Sequence, residues 1–317
     1  MIIIATMLDY DSSDYKNRRS NMKVMIMTDL EGPAGINGRS DGIGNKTMNP
    51  PIACQVLMDE VNACVRGLVK GGADEIVVWD GHGGSNSMDI TKLQYPAHLG
   101  TIGGDLAPCV YLDASFDAAI ALGFHAMEGV ADGYMNHSYD SHHICNMWIN
   151  GELIGEIGMT FYEAAYFGVP MILVTGDQAA CREAKAFMPD VKTVCTKNSL
   201  SRYTTINRNP TAVQNELEAT AEAAIRKLKS FKTKKLPKEF VYRIQLMCPN
   251  TAISYEKIGW ERIDPFTIET RGADFVDVFS RYLGWAAGVH NRRFGISPSW
   301  TGLCPPEHAI LSQRSQN

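Results

Sequence analysis

Apolar runs of strand length alternate with longer amphipathic segments over most of the chain. The first run, residues 24–28, is followed by a loop rich in Gly, Pro and Asn and then by a helical pattern over residues 52–71. A second run at 75–79 completes a βαβ unit, and runs at 118–123 and 171–175 have the continuous apolar character of buried strands. This alternation predicts an α/β fold with a largely parallel sheet and helices on both faces.

The later segments predict a smaller C-terminal α+β part. A hairpin and two helices are expected at residues 149–153, 155–167 and 210–229. The stretch Lys234-Lys235-Leu236-Pro237 has the composition of a linker. After it, the pattern predicts a strand at 239–246 and a helix at 273–287.

Four parts of the chain are expected. Residues 1–21 form a disordered extension, because their apolar start is too short for a signal peptide and lacks a leading basic region. Residues 22–232 form the α/β metal-binding catalytic domain, and residues 233–290 form the smaller C-terminal part. The tail at 291–317 is peripheral, since it is rich in Pro, Ser and Gln.

Composition narrows the class of protein. The chain has 317 residues, of which 45% are hydrophobic and 21% charged, and its net charge of -5 argues against a nucleic-acid partner. Its eight cysteines are scattered without a CxxC pair, which indicates reduced thiols. No run reaches the roughly 18 apolar residues of a membrane span. We therefore expect a cytoplasmic protein that binds neither nucleic acid nor membrane.

Acidic and imidazole side chains follow three of the predicted strands. Asp29 and Glu31 follow the first, His82 follows the second, and His125 follows the third. In an α/β sheet these strand ends meet at one edge, where ligands bind. Asp29 and Glu31 are two residues apart and project to the same side, so their charges repel unless a proton or a cation binds. Carboxylate and imidazole ligands without thiolate suit zinc, with manganese or cobalt as alternatives.

Each of these signals has an ordinary alternative when taken alone. An Asp-x-Glu sequence after a strand is often a solvated loop or a helix cap, and a His in a Gly-rich loop is often surface. His125 could also be a core imidazole that hydrogen-bonds to backbone. The coincidence of three strand ends is what favours a metal site.

Two further clusters lie between the third and fourth strands. The loop at 136–143 carries His137, His142 and His143, one of which is a candidate general acid or base. A polar loop with hydrogen-bonded histidines is the alternative. Glu152 and Glu156 lie four residues apart, and either could be a simple helix-capping acid.

At these positions the chain resembles the DppA-type D-aminopeptidase family, whose members are two-zinc metallopeptidases. The resemblance covers residues 23 to about 287, and Thr28 stands where the family often has Ser. The elements that carry it are Asp29-Leu30-Glu31-Gly32, Asp80-Gly81-His82-Gly83, Leu122-Gly123-Phe124-His125-Ala126, His137-Ser138 and Gly155-Glu156-Ile157-Gly158.

The resemblance implies a specific site and activity. By resemblance, two zinc ions per chain are bound by Asp29 as the bridging ligand and by Glu31, His82, His125 and Glu156. His137 corresponds to the catalytic histidine. The implied reaction is removal of the N-terminal residue of short peptides, D-amino-acid peptides such as D-Ala-D-Ala, by a water that bridges the metals. The implied assembly is a homo-oligomer, a ring-shaped decamer.

Two other functions remain open at this stage. One is a two-metal amidase that acts on a non-peptide small-molecule amide, since the ligands do not define the pocket. The other is a non-catalytic metal-binding α/β protein, although no GxGxxG or P-loop motif follows the first strand. Glu128 and Asp132 depart from the family pattern, and we expect them to add negative charge near the mouth of the site.

Overall fold

The computed structural model describes residues 21–36, 50–83, 86–101 and 111–283. The expected extension before Asn21, the tail at 291–317 and the last residues of the helix expected at 273–287 lie outside these ranges. Among the described residues, no helix has both the length and the apolar composition that crossing a membrane requires.

The described chain contains twelve strands and six α-helices. The strands are β1 (Lys23–Thr28), β2 (Glu75–Asp80), β3 (Ala97–Gly100), β4 (Ala118–Phe124), β5 (Ile144–Ile149), β6 (Glu152–Ile154), β7 (Met171–Asp177), β8 (Lys192–Ser201), β9 (Thr204–Asn207), β10 (Phe240–Leu246), β11 (Glu261–Arg262) and β12 (Thr267–Gly272). The helices are α1 (Pro50–Gly71), α2 (Glu156–Tyr166), α3 (Gln178–Phe187), α4 (Pro210–Arg226), α5 (Pro249–Glu256) and α6 (Phe275–Ser280).

The larger sheet has seven strands in the order β3-β2-β1-β4-β7-β8-β9. Every pairing is parallel except that of β8 with β9. Strands β1, β4 and β7 are buried along their whole length, which is why they read as continuous apolar runs in the sequence. The predicted α/β fold with a largely parallel sheet is confirmed.

Helices cover both faces of this sheet. On one face, Leu57 of α1 and Leu217 of α4 pack in a core with Ile26 of β1. On the other face, Phe161 of α2 and Ala184 of α3 pack with the alternate residues of the same strand. Successive residues of a strand point to opposite faces, so a strand that is covered on both sides must be apolar throughout.

The smaller sheet is antiparallel, with the order β11-β12-β10-β5-β6. It includes the hairpin β5–β6, which the sequence assigned to the larger part of the chain. Strand β5 pairs with β10, which lies almost a hundred residues later, and buries Ile144, Met147 and Ile149 against the core of the smaller sheet. The hairpin turn uses Asn150 and Gly151 at positive φ, the turn chemistry that tight hairpins favour.

Helix α2 lies between the two sheets. Its residues Ile157 and Phe161 belong to the core of the larger sheet, whereas Met159 and Tyr162 belong to the core of the smaller one. A helix that is buried on several sides is held firmly by its neighbours. Glu156 begins this helix and is therefore fixed relative to the strands of the larger sheet.

Several elements differ from the sequence-based expectation. Strands β3, β8, β9, β11 and β12 and helices α3 and α5 were not predicted. The helix expected at 273–287 is shorter, because α6 ends at Ser280 and a 3-10 turn, Arg281–Leu283, follows it. The long helix expected at 210–229 ends at Arg226 and is continued by a second 3-10 turn, Leu228–Ser230.

Candidate metal centre

The predicted site lies where β1, β2 and β4 end, at the carboxyl edge of the larger sheet. Beyond β1 the chain stays tied to β4, because the Asp29 amide donates to the Leu122 carbonyl at 2.9 Å and the Gly32 amide donates to the Gly123 carbonyl at 2.7 Å. A Cβ at Gly32 would lie only 2.3 Å from the Gly123 carbonyl carbon. Glycine is therefore required for this close approach of the two backbones.

The structure brings the five predicted ligands together. The Nε2 atom of His82 lies 3.3 Å from a carboxylate oxygen of Glu31. The Nε2 atom of His125 lies 3.2 Å from Asp29 Oδ2 and 3.4 Å from Glu156 Oε1. Asp29, Glu31 and His125 are buried, and Glu156 is largely so. The result is a continuous chain of carboxylate and imidazole contacts.

The imidazoles are oriented by their second nitrogen. Nδ1 of His125 donates to the Ala126 carbonyl at 2.9 Å, and Nδ1 of His137 donates to the Met135 carbonyl at 2.7 Å, because a carbonyl oxygen can only accept. In the neutral rings this leaves the Nε2 lone pairs directed at the carboxylates, which is the arrangement of metal-binding histidines. The two rings stack with centroids 4.0 Å apart.

Polar atoms at the centre of the cluster have no hydrogen-bond partner. Asp29 Oδ2, Glu31 Oε2 and His125 Nε2 are all buried without a hydrogen bond. Buried polar atoms in this condition cost free energy, and a divalent cation would satisfy all three at once. The ligand atoms of Asp29, Glu31 and His125 lie within 4.8 Å of one another.

A second group of three shares one residue with the first. The ligand atoms of His125, His137 and Glu156 also lie within 4.8 Å of one another. The site therefore offers two adjacent groups of donors that meet at His125. All the donors are carboxylate oxygens and imidazole nitrogens, the types that zinc binds.

The pKa values reflect charges that are crowded together. Burial, followed by the charge of Glu31, raises the pKa of Asp29 to about 7. Burial alone would lower the pKa of His82, but its hydrogen bond to Glu31 outweighs this and raises it to about 9. Likewise, burial raises the pKa of Glu156, but the charge of His125 outweighs it and the net direction is downward. Protons here occupy the place that a cation would take.

The loop that carries His137 is held in an uncommon backbone conformation. Met135 and Tyr139, on either side of it, have φ values of 45° and 58°. Non-glycine residues at positive φ cluster at functional sites. The Tyr139 amide donates to Glu156 Oε1 at 2.7 Å, which ties the loop to the start of α2. Burial, followed by the charge of His125, lowers the pKa of His137.

The other two histidines of this loop lie outside the cluster. His143 Nδ1 is 2.6 Å from Asp140 Oδ2, and both residues line a separate cavity of about 230 Å³ together with Tyr255 and Tyr282. His142 is exposed, with its Nδ1 3.1 Å from Ser141 Oγ. Of the three histidines, His137 is the one whose ring lies close to the carboxylates of the metal centre.

Glu152 and Glu156 separate in the same way. Glu152 is exposed. It accepts a hydrogen bond of 2.8 Å from the Tyr162 hydroxyl and forms an ion pair with Lys234 at 3.0 Å. Glu156 points into the cluster, and the helix that it begins has no side-chain cap at Gly155. Glu152 lies in β6 and caps no helix, whereas Glu156 lies in the first turn of α2 and accepts its hydrogen bond from the Tyr139 amide, outside the helix.

The two acids expected to add negative charge near the site are neutralised by arginines. Glu128 pairs with Arg202 at 2.8 Å, and Asp132 pairs with Arg182 at 2.6 Å. The paired arginines therefore offset the negative charge that was expected at these two positions. These partners were not foreseen, because they come from elements, β8–β9 and α3, that the sequence did not predict.

Two supporting groups were also missed in the sequence. Asp80 Oδ2 accepts from the Ser87 and Met88 amides at 2.8 and 3.1 Å, and Ser87 Oγ lies 3.3 Å from His82 Nδ1, so this loop orients the His82 ring. Lys197 of β8 is fully buried, and its Nζ donates to the Glu31 carbonyl at 2.7 Å. A lysine usually indicates a solvated position, so the sequence carried no signal for this role.

The chain is similar to known D-aminopeptidases in sequence and in fold. A sequence model of the D-aminopeptidase family matches residues 22–283. A D-aminopeptidase from Bacillus subtilis (strain 168) is 32% identical over 184 residues, which are 57% of this chain and 65% of that relative, just under two thirds of its length.

A solved structure is similar over most of the fold. It is the Zn-dependent D-aminopeptidase DppA from Bacillus subtilis, described as a self-compartmentalizing protease. The superposition has a TM-score of 0.77 at 25% sequence identity and covers 89% of this chain and 100% of that chain.

Proposed function

This chain belongs to the D-aminopeptidase family, and from that premise we propose that it is a metal-dependent aminopeptidase that removes the N-terminal residue of short peptides. The substrates we propose are D-amino-acid peptides such as D-Ala-D-Ala. The observation that carries the proposal is the convergence of Asp29, Glu31, His82, His125 and Glu156 at one edge of the sheet. The names of both relatives support the D-peptide class.

The proposed cofactor is a pair of zinc ions per chain. The five donor residues are more than one four-coordinate zinc ion needs, which supports two adjacent ions, and the zinc dependence of the similar solved structure supports the choice of metal. Manganese or cobalt would suit the same donors. When bound, such ions would polarise a peptide carbonyl and lower the pKa of water to about 7. Asp29, whose buried Oδ2 has no hydrogen bond, is the proposed bridging ligand.

His137 is the proposed proton-transfer group. Its Nδ1 donates to the Met135 carbonyl, which leaves Nε2 as the acceptor on the side of Glu156, 3.8 Å away. Its lowered pKa favours the neutral ring, which can take up a proton at Nε2 and pass it to the leaving amine nitrogen. The hydrogen bond of Nδ1 and the stacking on the His125 ring hold this nitrogen in place.

A second role for His137 follows from its position. Since it shares a group of donors with His125 and Glu156, it could instead be a metal ligand. Measuring zinc content in His137→Ala distinguishes the two roles. A proton-transfer group leaves the zinc content unchanged, whereas a ligand lowers it.

The proposed assembly is a homo-oligomer, a ring-shaped decamer. The description of the similar structure as a self-compartmentalizing protease is consistent with an oligomer, and the ring of ten subunits rests on the family resemblance. Size-exclusion chromatography with light scattering tests it directly. A cytoplasmic location is proposed as well, since the described cysteines are free thiols.

The test of the activity compares hydrolysis of D-Ala-D-Ala with that of L-Ala-L-Ala. We expect D-selective release of alanine by the wild-type chain and its loss in His82→Ala and Glu31→Ala. His142→Ala is the matched control, because His142 is an exposed histidine outside the cluster. Cleavage of a small non-peptide amide without any dipeptide hydrolysis would favour the amidase alternative. Zinc binding without turnover of any amide would favour a non-catalytic metal-binding protein.

A further inference from the structure

Two cysteines outside the metal centre are in contact with each other. Cys195 of β8 pairs in register with Gly176 of β7, and Cys181 lies in α3, which follows β7 directly. The Cys181 thiol lies 3.9 Å from the Gly176 carbonyl oxygen, the Cys195 thiol lies 3.2 Å from the Lys197 carbonyl oxygen, and the two thiols are close enough to shift each other's pKa. Both cysteines therefore lie beside Gly176, Cys195 through the strand pairing and Cys181 through its contact with the carbonyl oxygen.

The two thiols differ in access and in acidity. Cys181 is buried, whereas Cys195 is half-buried. The hydrogen bond from the Cys181 thiol lowers the pKa of Cys195 to about 7, and the Arg208 guanidinium acts in the same direction. Arg208 also donates to the Cys195 carbonyl at 2.6 Å, which holds the guanidinium close. A thiol that is ionised near neutral pH and reachable from solvent is the one that oxidants attack.

We propose that Cys181 and Cys195 form a reversible dithiol–disulfide pair that is oxidised by hydrogen peroxide. The Cys195 thiolate attacks one peroxide oxygen, an S–O bond forms as the O–O bond breaks, and the released hydroxide takes up a proton to become water. The Cys181 sulfur then attacks the Cys195 sulfur, and an S–S bond forms as the S–O bond breaks. The departing hydroxide takes the Cys181 proton as a second water. Two thiols lose two electrons in total, and peroxide is reduced to two waters.

This pair is adjacent to the segment that supports the metal centre. The residue after Cys195, Thr196, donates through its hydroxyl to the Gly32 carbonyl, and Lys197 donates to the Glu31 carbonyl at 2.7 Å. A disulfide between α3 and Cys195 would pull β8 towards α3 at the position where these contacts begin. Oxidation therefore lowers the aminopeptidase activity, a consequence that rests on the proposed function.

The first experiment reads the chemistry without any activity assay. The full-length chain is treated with peroxide, its remaining thiols are alkylated, and its peptides are analysed by mass spectrometry with and without dithiothreitol. We expect a linked pair of peptides that contain Cys181 and Cys195, lighter by two hydrogens and separated again by the reductant. Cys145→Ser, which changes a half-buried cysteine on β5, should give the same linked pair. Separate alkylation of both cysteines, or oxidation of Cys195 to sulfinic acid without linkage, would overturn the proposal.

The second experiment measures the effect on the site. Peroxide should lower the rate of D-Ala-D-Ala hydrolysis by the wild-type chain and by Cys145→Ser several-fold, and reduction should restore it. The rate of hydrolysis by Cys195→Ser should not change on peroxide treatment. Formation of the disulfide without any loss of hydrolysis would overturn the regulatory consequence. If the chain hydrolyses no dipeptide at all, the linked peptides still report on the pair, so the two hypotheses fail separately.

Discussion

Two buried aspartates at the same edge of the larger sheet have opposite surroundings. Asp177 ends β7, and its carboxylate accepts hydrogen bonds from the Tyr134 amide, the Ser199 hydroxyl and the Ala180 amide at 2.6, 2.6 and 2.8 Å. Asp29 follows β1, and its Oδ2 has no hydrogen bond although it is buried. An acid at a strand end is therefore not in itself a metal ligand. The difference lies in whether the protein already satisfies its oxygens.

A third buried acid, Glu60, has an unsatisfied carboxyl oxygen but does not belong to the groups of acids and imidazoles at the metal centre. Glu60 accepts from the Ala34 amide at 2.6 Å, but its Oε2 has no hydrogen bond. Burial raises its pKa to about 7, so a proton suffices to neutralise it. Asp29 and Glu31 stand side by side among imidazoles, and a divalent cation neutralises both together. Crowding together with missing hydrogen bonds distinguishes the metal centre.

The largest expected effect separates Asp29 from Asp177. Asp29→Asn should lower kcat/KM on D-Ala-D-Ala by about 10³-fold, because metal catalysis contributes several kcal/mol and each 1.36 kcal/mol is tenfold. Its metal-free form should unfold at the same or higher denaturant concentration, since a buried repulsion with Glu31 is removed. Steady-state kinetics and urea unfolding measure the two properties.

Asp177→Asn should show the reverse pattern. The amide nitrogen of Asn would face a backbone N–H where a carboxylate oxygen now accepts, and stability should fall by about 1–3 kcal/mol. Activity per folded chain should stay close to that of the wild type. A loss of activity equal to that of Asp29→Asn, with zinc released, would break the distinction between the two aspartates.

The next effect concerns His137. His137→Ala should lower kcat by about 10² to 10³-fold, the range found when a proton-transfer or oxyanion-stabilising group is removed. The zinc content should not change, and His142→Ala should have no effect. Steady-state kinetics on D-Ala-D-Ala together with elemental analysis test this. Loss of one zinc ion would instead assign His137 to the metal.

A smaller effect is expected from the buried lysine that supports the metal-binding loop. Lys197 donates to the Glu31 and Ile36 carbonyls at 2.7 and 3.1 Å. Lys197→Met should weaken zinc affinity or activity by about 10 to 100-fold, as loss of groups that orient metal ligands does. Lys192→Met on the same strand is the matched control, since Lys192 is exposed. Equal behaviour of the two variants would contradict a supporting role.

The smallest effect tests the protonated state of Glu60. Its pKa is raised from 4.5 to about 7, so the folded chain keeps a proton that the unfolded chain releases, and this stability is lost as pH rises through about 7. Glu60→Gln should therefore raise the free energy of unfolding at about pH 8 by on the order of 1 kcal/mol, and should have little effect near pH 4.5. Destabilisation at the higher pH would mean that Glu60 is ionised opposite Lys197.

The sequence predicted the elements that carry the metal centre well, because β1 and β4 are buried along their whole length, β2 alternates buried and half-buried residues, and all three strands lead into acids or histidines. It missed β3, the region from α3 to β9, and α5, β11 and β12 of the smaller sheet. Strand β8 has polar residues on both of its faces, and one of them is Lys197. Lys197 is buried because backbone carbonyls of another segment accept hydrogen bonds from its ammonium group. Such a contact between residues more than 160 positions apart leaves no local pattern.

The assignment of strands to the two sheets also could not be predicted from local sequence patterns. The hairpin β5–β6 has the alternation of any half-buried hairpin, and only its pairing with β10 assigns it to the smaller sheet. Among the acids, Asp29 and Asp177 both follow apolar strands, and their different roles depend on donors from distant loops and strands. Patterns along the chain give the location of a charged group, whereas its hydrogen-bond partners come from tertiary structure.

The most direct test of the central claim is the zinc content of the purified chain after metal removal and titration with zinc, measured by elemental analysis for the wild type, Asp29→Asn and Asp177→Asn. The account predicts close to two zinc ions per wild-type chain and per Asp177→Asn chain, and a clear loss in Asp29→Asn. A wild-type chain that binds no zinc, or an Asp177→Asn chain that loses as much zinc as Asp29→Asn, would contradict it.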